Sequence, residues 1–123
     1  VISEVPLTDM LRFHKLLAGA SWMGEYGNPE EEKMKEFWTK YSPYQNVKSE
    51  VKYPSVFFTT STKDDRVHPG HARKMAARMI EFGKDVSYFE NIEGGHSASA
   101  NLLQMARRQA LVYTFLSERL GLK

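Results

Sequence analysis

The chain has 123 residues, 41% of them apolar and 26% charged, with 17 basic against 15 acidic side chains interspersed along its length. That length suits one compact domain, the composition argues against disorder, and a scattered net charge of +2 offers no basic stripe for nucleic acid. With no cysteine there is no disulfide framework and no thiolate nucleophile, and no apolar run approaches the roughly 20 residues that cross a bilayer. A cytoplasmic protein is expected, with the bacterial periplasm as second choice. The start VISEVPLTDM has neither a basic segment, nor an apolar signal core, nor an initiator methionine, so a processed chain or an excised piece is expected.

Four helices and two strands are predicted in chain order. The first helix covers 8–17, where Thr8 or Asp9 can cap, Met10, Phe13, His14 and Leu17 fall at helical spacing, and Gly19 ends it. His14 on that helix reads as a packed structural residue. The run GNPEEEKMKEFWTKYSP predicts the second helix: Asn28 caps, Pro29 takes the first helical position, and three glutamates sit at the positive end of the dipole. Met34, Phe37, Trp38 and Tyr41 would form its inward stripe, and Ser42-Pro43 would close it. A strand over 55–60 follows, apolar on consecutive positions as in a strand buried on both faces. Pro69 then starts a helix with the stripe Ala72, Met75, Ala76, Met79 and Ile80, and Gly83 stands where a C-terminal cap belongs. A second strand over 86–91 and the turn Glu93-Gly94-Gly95 lead to a final helix over 99–120 capped by Gly121, with Leu102, Leu103, Ala106, Ala110, Tyr113, Leu116 and Leu120 as its apolar positions. The order strand, helix, strand, helix predicts an α/β layer fold with two neighbouring parallel strands joined by a right-handed crossover.

In such a fold, chemistry collects in loops beyond the carboxyl ends of the strands. Two loops qualify, the one holding Asp64, Asp65, Arg66, Val67 and His68, and the one holding Gly94, Gly95, His96 and Ser97. Adjacent strands lie about 4.8 Å apart, so an aspartate in the first loop can reach an imidazole in the second. The carboxylate would fix the tautomer and leave the other ring nitrogen to take a proton from a nucleophile. Taken alone, Asp-Asp after a strand also reads as a turn and helix-capping pair, and their joint placement is what points to catalysis. His68 and His71 have metal-like spacing, but Pro69-Gly70 breaks the helix such ligands ride on and no third ligand is near, so no metal or cofactor is expected. No serine occupies a G-x-S-x-G elbow: around Ser21 the second glycine falls one place late and a helix, not a strand, precedes it.

The blocks TDMLRFHK with SWMGEYG, then KYSPYQNVK, then YPSVFFTTSTKDDRVHPGHA leading to GGH, resemble the prolyl oligopeptidase family over nearly the whole chain. The resemblance implies the C-terminal portion of an α/β-hydrolase fold, parallel strands with flanking helices in three αβα layers, within a single truncated catalytic domain over 1–123. It implies that Asp64 is the acid and His96 the base of a serine-protease triad, with Asp65 a supporting turn residue. It also implies that Trp22 and Tyr26 form a proline-binding pocket lined by Leu7 and Val67, and that Arg66 holds the substrate backbone. Simple core packing is the competing reading of Trp22 and Tyr26. Family members often carry glycine where Ser97 stands, and the family's serine elbow, oxyanion donors and β-propeller all fall upstream of Val1.

Two functions are therefore expected in competition. One is a serine peptidase acting on short peptides after proline, whose serine this chain lacks, so that the chain alone is inactive. The other is a non-catalytic hydrolase-like module acting in assembly or binding. No nucleic acid or membrane partner is expected. Truncation of the sheet should leave the 55–60 or 86–91 strand with an unpaired edge and expose Phe57, Phe58, Tyr88 and Phe89, so the chain is expected to form a homo-oligomer, at least a dimer.

Overall fold

The structure, a computed structural model, describes residues 1–96 and 101–122. Three parallel strands, β1 (Ile2–Glu4), β2 (Val56–Ser61) and β3 (Val86–Asn91), form one sheet in the order β1-β2-β3. β2 is central: Phe57 pairs with Ile2 on one side and Ser87 on the other, and Ser61 ends level with Asn91. The expected 55–60 strand is thus shifted by one residue and carries no open edge, because three extended residues at the N-terminus, too few to show a pattern, cover it.

Side chains alternate across β2, and each face meets a different helix. Val56 and Phe58 pack with Val47 and with Met75, Ala76 and Met79 of α4 (Gly70–Glu81), whereas Phe57 packs with Val112 and Phe115 of α5 (Leu102–Leu120). Helices therefore cover both faces of a parallel sheet, the αβα layering of an α/β-hydrolase core. Each buried valine, phenylalanine or methionine among them contributes about 1.5–3 kcal/mol. Phe57 and Phe58 are buried and Phe89 packs against the α5 layer, so of the four aromatics expected at the surface only Tyr88 is exposed.

α4 begins one residue after Pro69 and ends as its glycine foretells: Gly83 has φ +68°, and its N–H and that of Lys84 return to the carbonyls of Ile80 and Met79. Ile80, placed on the buried stripe, is 56% exposed. α5 is capped by Asn101 Oδ1, which accepts from Gln104 N at 2.9 Å, and by Gly121 in the left-handed region. The expected start at Ser99 lies outside the described residues.

The first half of the chain departs most from expectation. No α-helix covers 8–17: 3-10 segments at Phe13–Lys15 and Leu17–Trp22 flank an extended Leu16, and Leu17 has φ +48°. Left-handed backbone in a leucine costs about 1–3 kcal/mol. Gly19 does not terminate a helix but lets the two segments touch, since a Cβ there would sit 1.8 Å from Phe13 O. A four-residue helix α1 (Met23–Tyr26) follows. α2 (Glu32–Tyr41) starts later than Pro29 because Asn28 closes a turn ahead of it, its Oδ1 accepting from Glu30 N at 3.1 Å. Of the α2 stripe, Met34 and Trp38 are half-buried, while Phe37 and Tyr41 face solvent. Pro43 opens the short α3 (Pro43–Asn46).

Candidate active site

β2 and β3 point the same way, so the loops leaving Ser61 and Asn91 emerge side by side at one rim. Asp64 stands three residues beyond β2 and is 2% exposed. Its Oδ1 accepts from the backbone N–H groups of Arg66 and Val67, both at 2.9 Å, which locks the carboxylate into its own turn. His96 Nδ1 then lies 3.0 Å from both Asp64 oxygens and donates to them. A carboxylate holding Nδ1–H leaves Nε2 as the basic nitrogen, and Nε2 has no partner among the described residues. Asp65, by contrast, is exposed.

The two glycines before His96 are not in left-handed backbone, and a Cβ on Gly95 would meet only Lys63 O, at an ordinary 3.8 Å. The loop is instead shaped by Ser61, which is fully buried and whose hydroxyl reaches Asn91 O at 3.0 Å and also Gly94 O. Ser97 lies outside the described residues.

Beside His96 is a cavity of about 250 Å³ lined by Leu7, Trp22, Glu25, Tyr26, Arg66 and Val67 together with the imidazole. The structure therefore brings to one hollow every residue singled out from the sequence for substrate contact, with Asp64 behind the imidazole. Tyr26 is braced edge-on by Phe13 and Trp38, with ring centroids 5.8 and 6.2 Å away, and Trp38 Nε1 donates to Tyr26 O. Trp22 ends the second 3-10 segment and half-faces the hollow. Glu25 was not anticipated; a lone acid on a short helix gives no periodic signal to set it apart from ordinary surface.

The chain bearing Leu7 is held by a buried polar network. Thr8 Oγ1 donates to His71 O, Asp9 N to His71 Nδ1 and Met10 N to Ser42 Oγ. The Asp9 carboxylate accepts from Gln45 Nε2 and Lys74 Nζ, each at 2.8 Å. Burial opposes ionisation of Asp9, but those two bonds and the ammonium charge outweigh it and hold the carboxyl below its ordinary value. Burial, countered in part by Asp9, pushes His71 down to about 4, so the ring is neutral. His68 Nδ1 accepts from the N–H of Gly70, the first residue of α4, at 2.9 Å. Both histidines thus spend a ring nitrogen on backbone N–H groups, and no cluster able to hold a metal occurs among the described residues. Nor is any described helix long and apolar enough to cross a membrane.

The model of the prolyl oligopeptidase family matches residues 1–123. An uncharacterized peptidase of Sinorhizobium fredii is 53% identical over 98% of this chain, and a prolyl endopeptidase of Elizabethkingia miricola is 36% identical over 97% of it. The chain spans only 16% and 17% of their lengths. Among solved structures, a post-proline cleaving enzyme from Rickettsia typhi superposes on the whole chain with a TM-score of 0.96 at 35% identity, the chain covering 18% of it. Prolyl oligopeptidase B of Galerina marginata, bound to a 35mer substrate, matches 99% of the chain with a TM-score of 0.90 at 26% identity, again over 18% of its own length. Family match, relatives and layered parallel sheet agree: the chain belongs to the prolyl oligopeptidase family and has the fold of the C-terminal part of its α/β-hydrolase catalytic domain.

Proposed function

We propose that the chain, over 1–123, is the C-terminal part of the catalytic domain of a serine peptidase that cleaves short peptides on the carboxyl side of proline. The serine, the oxyanion donors and a β-propeller would come from an upstream portion. The observation that carries this reading is the Asp64–His96 hydrogen bond at 3.0 Å on the border of a cavity that also presents Trp22 and Tyr26. In the reaction, the serine hydroxyl attacks the carbonyl carbon of the proline itself while His96 Nε2 takes its proton. Asp64 stabilises the imidazolium, which then protonates the departing amine as the acyl-enzyme forms; water attacks the acyl-enzyme by the same relay. A flat pyrrolidine fits between the Trp22 indole and the apolar walls of Leu7 and Val67 at low ordering cost. Arg66 supplies donors to the substrate carbonyls.

The test is hydrolysis by the full-length protein of peptides that differ only in proline or alanine before the cleaved bond. Proline is expected to be preferred, His96→Ala to abolish turnover, and Trp22→Ala to raise KM about tenfold through loss of about 1–3 kcal/mol of contact. The 123-residue chain alone is expected to take up no fluorophosphonate. A full-length protein that binds proline peptides without hydrolysing them would be the non-catalytic module instead.

A further inference from the structure

Among its described residues, the loop that carries His96 has little apolar anchorage: Ile92, the one large apolar side chain there, is 71% exposed. Its position is set by polar contacts on two sides. From β2 comes the Ser61 hydroxyl, within reach of the carbonyls of Asn91 and Gly94. From α5 comes Gln104, in the first turn, whose Oε1 accepts from Asn91 Nδ2 at 2.9 Å and whose Nε2 donates to Glu93 Oε2. Asn91 Oδ1 closes the triangle by accepting from Glu93 N at 3.1 Å. Asn91 is 8% exposed, ends the strand and is level with Ser61, three residues before Asp64. The amide of Gln104 is therefore the point where the helix, the end of β3 and the histidine loop are tied together.

We infer that Gln104 is a positioning residue for His96, acting through Asn91 and Glu93 to keep the imidazole in register with Asp64. This rests on the triad reading above. Gln104 touches neither the imidazole nor the cavity, and nothing in its sequence setting, an ordinary helix position, marks it. A shift of about 1 Å in a catalytic group can cost on the order of 10²-fold in rate, so a tether of this kind acts on turnover far more than on binding.

The experiment uses the full-length protein and a proline-containing peptide, with thermal melting of every variant. Gln104→Ala is expected to lower kcat about ten- to hundredfold with KM within about twofold. Gln104→Glu should also lower kcat, because the new carboxylate faces Glu93, even though an acid in the first turn of a helix favours the helix itself. The double change Gln104→Glu with Glu93→Gln should restore most of the activity: the carboxylate at position 104 then accepts both from Asn91 Nδ2 and from the new amide at position 93. A merely structural role would not produce that rescue. Should Gln104→Ala fail to fold, the Gln104→Glu pair decides alone. Undiminished kcat in a folded Gln104→Ala or Gln104→Glu variant, or no rescue in the double variant, overturns the inference while the triad reading stands. Full activity in His96→Ala overturns both.

Discussion

Asp64 and Asp65 are the same side chain one residue apart, and their surroundings separate them. Asp64 is 2% exposed and accepts from two backbone N–H groups and the His96 ring, whereas Asp65 faces solvent. In the full-length protein, Asp64→Asn should lower kcat by about 10⁴ with little change in KM, because an amide in that place favours the wrong imidazole tautomer. Asp65→Asn should stay near wild type. Steady-state kinetics on the two variants checks this, and the reverse ranking would move the acid to position 65. That an aspartate of the loop after β2 would meet His96 was legible in the sequence because parallel strands bring their outgoing loops together, whereas the choice of Asp64 over Asp65 came from the family resemblance. Trp22 and Tyr26 came from the family resemblance. Asp9 and Gln104 were not legible, because their places depend on which distant side chains they meet, and Glu25 was not, because a lone acid on a short helix looks like ordinary surface.

Among the elements, β2, β3, α4 and the caps of Gly83 and Gly121 could be read because local chemistry and tertiary packing agree there. Over 8–17 they disagree. The spacing of Met10 and Phe13 suits inward-facing residues on a 3-10 turn as well as on an α-helix, and the buried bonds of Thr8, Asp9 and Met10 to His71 and Ser42 hold the backbone in another path. The face of α5 was also misjudged: Val112 and Phe115, with Leu111 and Leu116, meet the sheet, and of the expected apolar positions only Leu116 does. The join between α4 and the N-terminal segment has a pH signature. His71 is 1% exposed and titrates at about 4 rather than 6.5, so the folded protein binds fewer protons than the unfolded chain between those values. Its contribution is complete above pH 6.5 and is lost as the pH falls towards 4, by about 3 kcal/mol in all. Glu90, held at about 2 mainly by its bond to Arg73, adds acid sensitivity only below its ordinary 4.5. Urea midpoints at pH 7.5, 5.5 and 4.5 should therefore fall steadily for the wild type and stay nearly level for His71→Gln. A wild-type midpoint that does not move across that window would show that the ring protonates in place.

At the scale of the whole molecule, exposed large apolar side chains gather on the outer side of α5. On α5, Leu102 and Leu103 are 81% and 80% exposed, and Tyr113 and Leu120 67% and 65%, away from the face that packs on Phe57. The open edges of the sheet are poorer places for association. β1 is three residues long, and β3 carries Tyr88 and Glu90, with Arg73 of α4 paired to Glu90, a charged edge of the kind that discourages another strand. The chain covers only 16% and 17% of two longer relatives, and in the isolated chain the outer face of α5 is left to solvent. Burying one such leucine is worth about 1.5–3 kcal/mol, so a twofold contact that covers Leu102, Leu103 and Tyr113 on both copies gains enough to hold a dimer at micromolar concentration. Light scattering of the isolated chain should accordingly give at least twice the monomer mass, and Leu103→Asp should shift it towards monomer without lowering its melting temperature by more than a few degrees. A wild-type chain that stays monomeric and unfolds cooperatively at the same concentration would show that the α5 face needs no cover. Dimers indifferent to Leu103→Asp would place the contact at a sheet edge instead.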